Sequence, residues 1–171
     1  MKFLNIIRHA KAENNFLKND FTRELNGRGQ NDSKCLNDFL LNYSFEKHKI
    51  ICSPSVRTVQ TYENLKVSLN EKSHIIFQED LYLANLEAIY DLIIKEKKSS
   101  MITLIGHNPG LTDILYFFLR NLDIPELKTS SIVQIFFSNS NEISKGKGSL
   151  NFFVKSKNNK IFFYLNDNLT I

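Results

Sequence analysis

Cysteine is scarce in this sequence, and long apolar runs do not occur in it. Cys35 and Cys52 are its only two cysteines, too few for a disulfide framework and not spaced as a CxxC metal site. No stretch approaches the roughly 18 consecutive apolar residues of a membrane-spanning helix, and the first apolar run is too short for a secretory signal. We therefore expect reduced thiols, a cytoplasmic protein and no membrane partner.

A dense run of basic residues is also missing. The 171 residues include 22 Lys and Arg against 18 Asp and Glu, which gives a net charge of +4. The basic residues are scattered, so nucleic-acid binding is not indicated, although a mildly basic surface favours anionic substrates. The length and the apolar fraction of 42% suit one domain over residues 1–171 with a core of its own.

Strand-like and helix-like patterns alternate along the first 120 residues. Strands are predicted from residue 3 into Arg8 and at three later apolar runs, 49–52, 74–77 and 101–105. Helical spacing of apolar residues predicts helices near 28–42, 54–66 and 84–97, and another after Pro109.

Beyond Pro125 the period changes to two. Strands are predicted around 133–137, 150–154 and 161–165, with Asn158-Asn159 as a hairpin turn. The whole pattern predicts a three-layer α/β/α domain with a mixed, centrally parallel sheet and a β-rich C-terminal tail.

Three of the predicted strands end in residues that suit an anion. The first ends at Arg8-His9, the second is followed after one turn by Arg57, and the fourth ends at Gly106-His107. Because the carboxyl ends of parallel strands lie at one rim of the sheet, these side chains are expected to converge. His48 and His74 precede strands, so we place them at the opposite rim as structural or surface residues.

Two of these strand ends are also expected to begin helices. Ser53 and Asn108 would be the N-cap residues, each followed by a proline at the first helical position. The free N–H groups of such helix starts favour bound anions. Asn26 is predicted to cap the helix that follows the first strand.

The four converging residues match the needs of phosphoryl transfer. Arg8 and Arg57 can clamp phosphate oxygens with bidentate hydrogen bonds. One neutral imidazole can attack phosphorus while the other donates to the phosphoryl oxygens. His9 and His107 have no third ligand at metal-binding spacing, so we expect no metal and no cofactor.

These motifs resemble those of the histidine phosphatase superfamily, also called phosphoglycerate mutase-like. Arg8-His9-Ala10 is similar to its Arg-His-Gly signature, the stretch 53–61 to its Ser-Pro-x-x-Arg-x-x-x-Thr element, and the stretch 106–110 to its second-histidine element. The Arg-His-Ala form and the stretch 20–25, which reads Asp-x-x-Arg-x-Leu, look most like the SixA-type phosphohistidine phosphatases.

The resemblance implies a mechanism for each matched residue. His9 would become a phosphohistidine intermediate, while Arg8, Arg57 and His107 would hold the phosphoryl oxygens. Arg23 would be a further substrate contact or a surface residue. The substrate would be a phosphorylated protein or a small phosphorylated molecule.

One departure from the family pattern bears on the substrate. Members that act on phosphate monoesters usually carry an acid after the third strand, and Leu83 stands where that acid would fall. Glu79, Asp80 and Glu87 are the candidates to replace it. A missing acid slows hydrolysis of poor leaving groups by roughly 10²–10⁴-fold, whereas the leaving nitrogen of a phosphoramidate is already basic. Phosphohistidine on a protein is therefore the favoured substrate.

Three alternatives stay open at this point. The protein could hydrolyse small phosphate monoesters or sugar phosphates, or bind phosphate without catalysis. A mutase is a weaker option because the proton donor it needs is not visible. The sequence does not indicate an oligomeric state.

Overall fold

The computed structural model describes residues 2–15, 17, 19–119, 124–138 and 142–164. Within these ranges seven strands form one sheet: β1 (Phe3–Arg8), β2 (Lys49–Cys52), β3 (His74–Phe77), β4 (Met101–Gly106), β5 (Ser131–Phe136), β6 (Ser149–Lys157) and β7 (Lys160–Tyr164). The four described α-helices are α1 (Gly27–Leu40), α2 (Val56–Leu65), α3 (Leu86–Lys95) and α4 (Gly110–Phe118). Short 3₁₀ turns lie at Asp20–Thr22 and Glu79–Leu81.

The sheet has a parallel half and an antiparallel half, as the sequence pattern predicts. Its strand order is β3-β2-β4-β1-β5-β6-β7. The first four strands in this order are parallel, and β5, β6 and β7 pair antiparallel to their neighbours. Asn158 and Asn159 form the tight turn between β6 and β7 with φ of 53° and 58°, the backbone that a type I′ hairpin requires. The predicted strand position Leu165 lies outside the described residues.

Helices cover both faces of the sheet, so the three-layer prediction is confirmed. Side chains alternate along β1, and Ile6 therefore packs with α3 and α4 while Ile7 packs with α1 and α2. The central strands are buried on both faces, and this accounts for their continuous apolar runs. No helix in the described part of the chain is long and apolar enough to cross a membrane.

Two of the predicted helix starts are wrong. Ser53 remains tied to the sheet, because its N–H donates to the Ile105 carbonyl at 2.9 Å, and α2 begins only after Ser55. Asn108 does not cap α4, because its side-chain amide donates to the Leu127 carbonyl at 2.9 Å. The Asn26 cap is confirmed, since its side chain accepts from the Gly29 N–H at 2.9 Å.

The two histidines assigned to the opposite rim are found there. His48 is buried and its Nε2 lies 2.7 Å from the Thr103 hydroxyl. His74 is exposed at the start of β3. Both positions fit the structural roles that the sequence order predicts.

Candidate active site

Two imidazoles lie side by side at the carboxyl rim of the parallel strands. β1 and β4 are neighbours in which Arg8 is paired with Gly106. The residue that follows each strand is a histidine. The ring centroids of these two residues, His9 and His107, are 5.1 Å apart. Pairing of two adjacent parallel strands therefore produces the convergence that the motif order predicts.

Hydrogen bonding fixes the orientation of His9. Its Nδ1 lies 2.7 Å from the Ala10 carbonyl oxygen, which can only accept, so Nδ1 carries the proton. Nε2 is then the unprotonated ring nitrogen, and its lone pair accepts from Arg57 Nε at 3.4 Å. Burial lowers the pKa of His9 to about 3, and the positive charges of Arg57 and Arg8 act in the same direction. His9 is therefore a neutral imidazole at physiological pH.

His107 is held by hydroxyl groups on one side and by an arginine on the other. Its Nε2 lies 2.8 Å from the Ser53 hydroxyl and 3.4 Å from that of Ser55. Its Nδ1 lies 3.2 Å from Arg57 Nη2, which can only donate, so Nδ1 accepts in this arrangement. Burial, followed by the charge of Arg57, lowers the pKa of His107 to about 3.

Arg57 connects both histidines to the loop that follows β1. Its side chain is only 2% exposed. The guanidinium donates to the Asp20 backbone carbonyl and, from Nη2 at 2.8 Å, to the Asp20 carboxylate. The guanidinium carbon of Arg57, Cζ, lies 5.9 Å from the centre of the Tyr82 ring. Arg57 lies in the first turn of α2, so the helix fixes the direction in which its side chain extends toward the rim.

Asp20 and Tyr82 are site residues that sequence reasoning missed. The Asp20 carboxylate accepts from the Tyr82 hydroxyl at 2.7 Å and from Arg23 Nε at 3.0 Å. Burial opposes its ionisation, but the hydrogen bonds from Tyr82, Arg23 and Arg57 outweigh burial and hold the pKa of Asp20 well below its usual range. The spacing of Asp20 and Arg23 by three residues was the available signal, and it was interpreted only as part of a motif.

Arg8 lies at the edge of the same group of side chains. Its Nη1 donates to the Leu127 carbonyl at 2.8 Å and lies 3.4 Å from the Glu126 carboxylate. Its Nε is buried and has no hydrogen-bond partner within the described residues. One N–H of this guanidinium is therefore available to an acceptor.

All five predicted site residues line one cavity, which we call the histidine cavity. Its volume is about 300 Å³. The predicted lining residues are Arg8, His9, Arg23, Arg57 and His107, and other members include Lys11, Asp20, Leu83, Asn108 and Thr129. Four cationic side chains thus surround a space that contains the single carboxylate of Asp20. The described residues contain no cluster of side chains suited to a metal ion.

The candidates for a general acid do not reach this cavity. Glu79, Asp80 and Glu87 are absent from its lining, and Asp80 instead accepts from the Gln78 amide at 3.0 Å. Leu83 does line it, with 53% of its surface exposed. An apolar side chain therefore occupies the place at which the sequence comparison expects an acid.

Solved structures provide an independent comparison of the fold. No protein-family model and no curated protein sequence matches the chain. The protein histidine phosphatase SixA complexed with tungstate superposes with a TM-score of 0.75 at 21% identity, over 90% of this chain and 96% of that one. The chain has the histidine phosphatase fold. The fold resemblance that the motifs indicate is thereby confirmed.

Two further solved phosphatases, one of them named for a different substrate, share this histidine phosphatase fold. A putative phosphohistidine phosphatase SixA from Nakamurella multipartitia has a TM-score of 0.77 at 15% identity, over 91% of this chain and 96% of that one. Mycobacterial glucosyl-3-phosphoglycerate phosphatase has a TM-score of 0.65 at 10% identity, over 88% of this chain and 97% of that one. The fold alone therefore does not select a substrate.

Proposed function

We propose that this protein is a metal-independent phosphatase that removes the phosphoryl group from phosphohistidine on a protein. The observation that carries the proposal is the composition of the histidine cavity. A neutral imidazole with an unprotonated Nε2 lies among four cationic side chains, and the single carboxylate in the lining is held ionised. Such a site offers a nucleophile and charge stabilisation, but no carboxylic acid that could protonate a leaving oxygen.

The reaction would begin with the phosphoryl oxygens held by Arg8, Arg57 and His107. The buried Nε of Arg8 supplies an unused N–H, and Arg57 supplies a rigid fork of donors. The negative charge of the entering phosphoryl group favours the protonated form of His107. His107 would then take up a proton from solvent at Nδ1, where it would replace the hydrogen bond from Arg57 Nη2, and the new N–H would donate to a phosphoryl oxygen.

His9 would then attack through its Nε2. A bond forms between Nε2 and phosphorus while the phosphorus–nitrogen bond of the substrate breaks, and its electron pair passes to the leaving ring. A substrate ring protonated at its other nitrogen departs as neutral imidazole, so no acid from the protein is needed. Water next attacks the phosphohistidine on His9, and release of phosphate restores the neutral ring.

Hydrolysis of small phosphate monoesters is the second candidate. It is favoured by the fold shared with the mycobacterial glucosyl-3-phosphoglycerate phosphatase. It is opposed by Leu83, because an alkoxide leaves poorly when no acid protonates it.

Rates on matched substrates test the proposal. A phosphohistidine peptide is expected to give a much higher kcat/KM than glycerol phosphate, and rapid acid-free denaturation followed by mass spectrometry should find the phosphoryl group on His9. His9→Ala should lower kcat by at least about 10⁴-fold, while His74→Ala at the opposite rim serves as the control. Preference for glycerol phosphate would reject the substrate, and unchanged phosphate binding with no turnover of any substrate would indicate a binding module.

A further inference from the structure

A second cavity opens beside the histidine cavity. Its volume is about 360 Å³, and it shares Arg8, Lys11 and Thr129 with the histidine cavity. The two spaces are therefore continuous along the same rim of the sheet. A ligand whose phosphoryl group lies near His9 can extend into the second space.

The lining of this second cavity is strongly basic, and we call it the basic cleft. Six of its nine lining residues are cationic, and they come from four separate stretches of the chain: Arg8, Lys11, Arg28, Lys128, Lys155 and Lys157. The one carboxylate of the lining is Asp32, whose side chain is 4% exposed. One oxygen of Asp32 accepts from the Asn159 N–H at 3.2 Å, and the other lies 3.7 Å from Arg28 Nε, so this carboxylate already has two partners.

Half of these six cations have no carboxylate partner among the described residues. Lys128 lies 2.5 Å from Glu126, Arg8 lies 3.4 Å from the same residue, and Arg28 lies 3.7 Å from Asp32. Lys11, Lys155 and Lys157 form no ion pair with any part of the chain that the structure describes. Unpaired cations around one space create a positive potential that attracts an anionic ligand.

The walls of the cleft also contain an unused hydrogen-bonding group. Ser156 is 1% exposed and lines the cleft, and its hydroxyl has no partner within the described residues. Buried hydroxyls in native proteins nearly always have a partner. An acceptor on a bound ligand would satisfy this group, as it would the buried Nε of Arg8 in the same lining.

We propose that the basic cleft binds an acidic segment of the partner protein next to its phosphohistidine, a proposal that rests on the proposed function. Two features favour a peptide with several carboxylates over one further phosphate group. Four of the six cations are lysines, which act as separate point charges, whereas single phosphates are better matched by arginine forks. The cations are also distributed around a space of about 360 Å³, too wide for one phosphate to contact them all.

Two phosphohistidine peptides of equal length test this proposal. In one peptide Glu and Asp flank the phosphohistidine, and in the other Gln and Asn replace them. At low salt the wild-type protein should show about tenfold higher kcat/KM on the acidic peptide, mainly through KM, and the preference should shrink with added salt. Lys155→Glu combined with Lys157→Glu should abolish the preference.

Two controls separate charge in the cleft from charge elsewhere. Lys72→Glu combined with Lys98→Glu makes the same change in net charge on exposed residues before β3 and β4, at the opposite rim, and should keep the preference. Free phosphohistidine is too short to reach β6, so its hydrolysis should change less than about twofold in either double variant.

Binding measurements distinguish failure of this inference from failure of the proposed function. Fluorescence anisotropy with an unphosphorylated acidic peptide reports on the cleft whether or not the protein has phosphatase activity. Hydrolysis of both phosphohistidine peptides at equal rates would overturn the inference and leave the function standing. Tight binding of the acidic peptide without turnover would reject the function alone. An oligonucleotide that binds the cleft more tightly than the acidic peptide would also overturn the inference.

Discussion

The histidine cavity and the basic cleft are neighbours, yet Arg57, which lines only the first, and Lys157, which lines only the second, are in opposite situations. Arg57 in the histidine cavity is 2% exposed, and hydrogen bonds direct it toward His9, His107 and Asp20. Lys157 in the basic cleft is exposed and forms no ion pair with the described residues. Fixed charge suits stabilisation of a transition state, because it needs no reorganisation during the reaction. Free charge suits attraction of a partner from a distance.

The two sites also draw on the two halves of the sheet to different extents. Strands β1, β2 and β4 of the parallel half deliver both histidines and, through α2, the buried arginine. Lys155 and Lys157 belong to β6 of the antiparallel half, and Lys128 precedes β5. Under the two proposals, the parallel half would perform the chemistry, and the antiparallel half would add Lys128, Lys155 and Lys157 to the cations that select the partner.

Among the substitutions that compare the two cavities, removal of the buried arginine is expected to have the largest effect. Arg57→Ala should lower kcat/KM on free phosphohistidine by about 10³-fold, because donors to both the phosphoryl group and the two imidazoles are lost. Arg57→Lys should remain at least tenfold impaired, since a point charge does not replace the planar fork. Steady-state rates of phosphate release measure both.

Replacement of an arginine that lines only the basic cleft tests whether the two cavities have separate functions. Arg28→Ala should leave hydrolysis of free phosphohistidine within about twofold of wild type and affect only acidic peptides. Equal losses for Arg57→Ala and Arg28→Ala on the free substrate would show that the two cavities are not separable in function.

The next largest effect is a gain of activity at Leu83. Leu83→Glu places a carboxyl group at the lining of the histidine cavity, and it should raise kcat/KM on glycerol phosphate by about tenfold, part of the factor that a well-placed acid supplies. Hydrolysis of phosphohistidine should not rise. Leu83→Gln is the matched control, because it is polar and of similar size but donates no titratable proton. A similar gain in both variants would contradict the role of a missing acid.

The convergence of the histidines could be predicted from the sequence because it depends on strand order alone. Once β1 and β4 are recognised as parallel strands, the residues that follow them must lie at the same rim of the sheet.

The residues at which helices begin were less predictable from the sequence. Ser-Pro and Asn-Pro pairs suit an N-cap locally, yet Ser53 and Asn108 are bound by His107 and Leu127, respectively. These tertiary hydrogen bonds keep both side chains from capping a helix.

The contacts of Asp20 and the basic cleft could not be predicted from the sequence. Asp20 reaches Arg57 and Tyr82 from a loop with no periodic pattern, so nothing in the sequence gives its direction. The cleft collects cations from four stretches that are up to 149 positions apart, as between Arg8 and Lys157. Scattered basic residues in the sequence therefore became a concentrated patch in the fold.

A stability effect of intermediate size is expected at Gly29, where α1 packs against the segment that serves both cavities. A Cβ at this position would lie 2.1 Å from the carbonyl oxygen of Lys11, which also accepts from the Asn26 N–H at 3.0 Å. Gly29→Ala should therefore lower the free energy of unfolding by about 1–3 kcal/mol, measured by urea denaturation. It should also weaken binding of acidic peptide, because Lys11 lines both cavities.

Gly27 provides the matched control on the same helix. A Cβ at Gly27 would have no neighbour within 4 Å. Gly27→Ala should leave the free energy of unfolding unchanged or raise it by up to about 1 kcal/mol, since alanine restricts the unfolded chain. Equal destabilisation by both substitutions would mean that the close approach of Gly29 to Lys11 is not the cause of the loss of stability.

The smallest expected effect is on the pH dependence of stability, and it belongs to the histidine cavity. Burial lowers the pKa of His9 to about 3 in the folded protein, whereas an unfolded histidine has a pKa of about 6.5. The unfolded chain therefore binds more protons between these values. The stability present above about pH 6.5 is lost as the pH falls toward 3, by about 1 kcal/mol for this imidazole between pH 8 and pH 6.

Replacement of that ring isolates its share of the pH effect. His9→Gln should reduce the drop in the free energy of unfolding between pH 8 and pH 6 by about 1 kcal/mol, measured by urea denaturation at both pH values. The Lys155→Glu and Lys157→Glu double variant should not reduce it, because those side chains lie outside the histidine cavity. If His9→Gln left the drop unchanged, the ring would already be protonated in the folded protein near pH 6. A protonated His9 has no lone pair at Nε2, so attack on phosphorus would then require loss of that proton first.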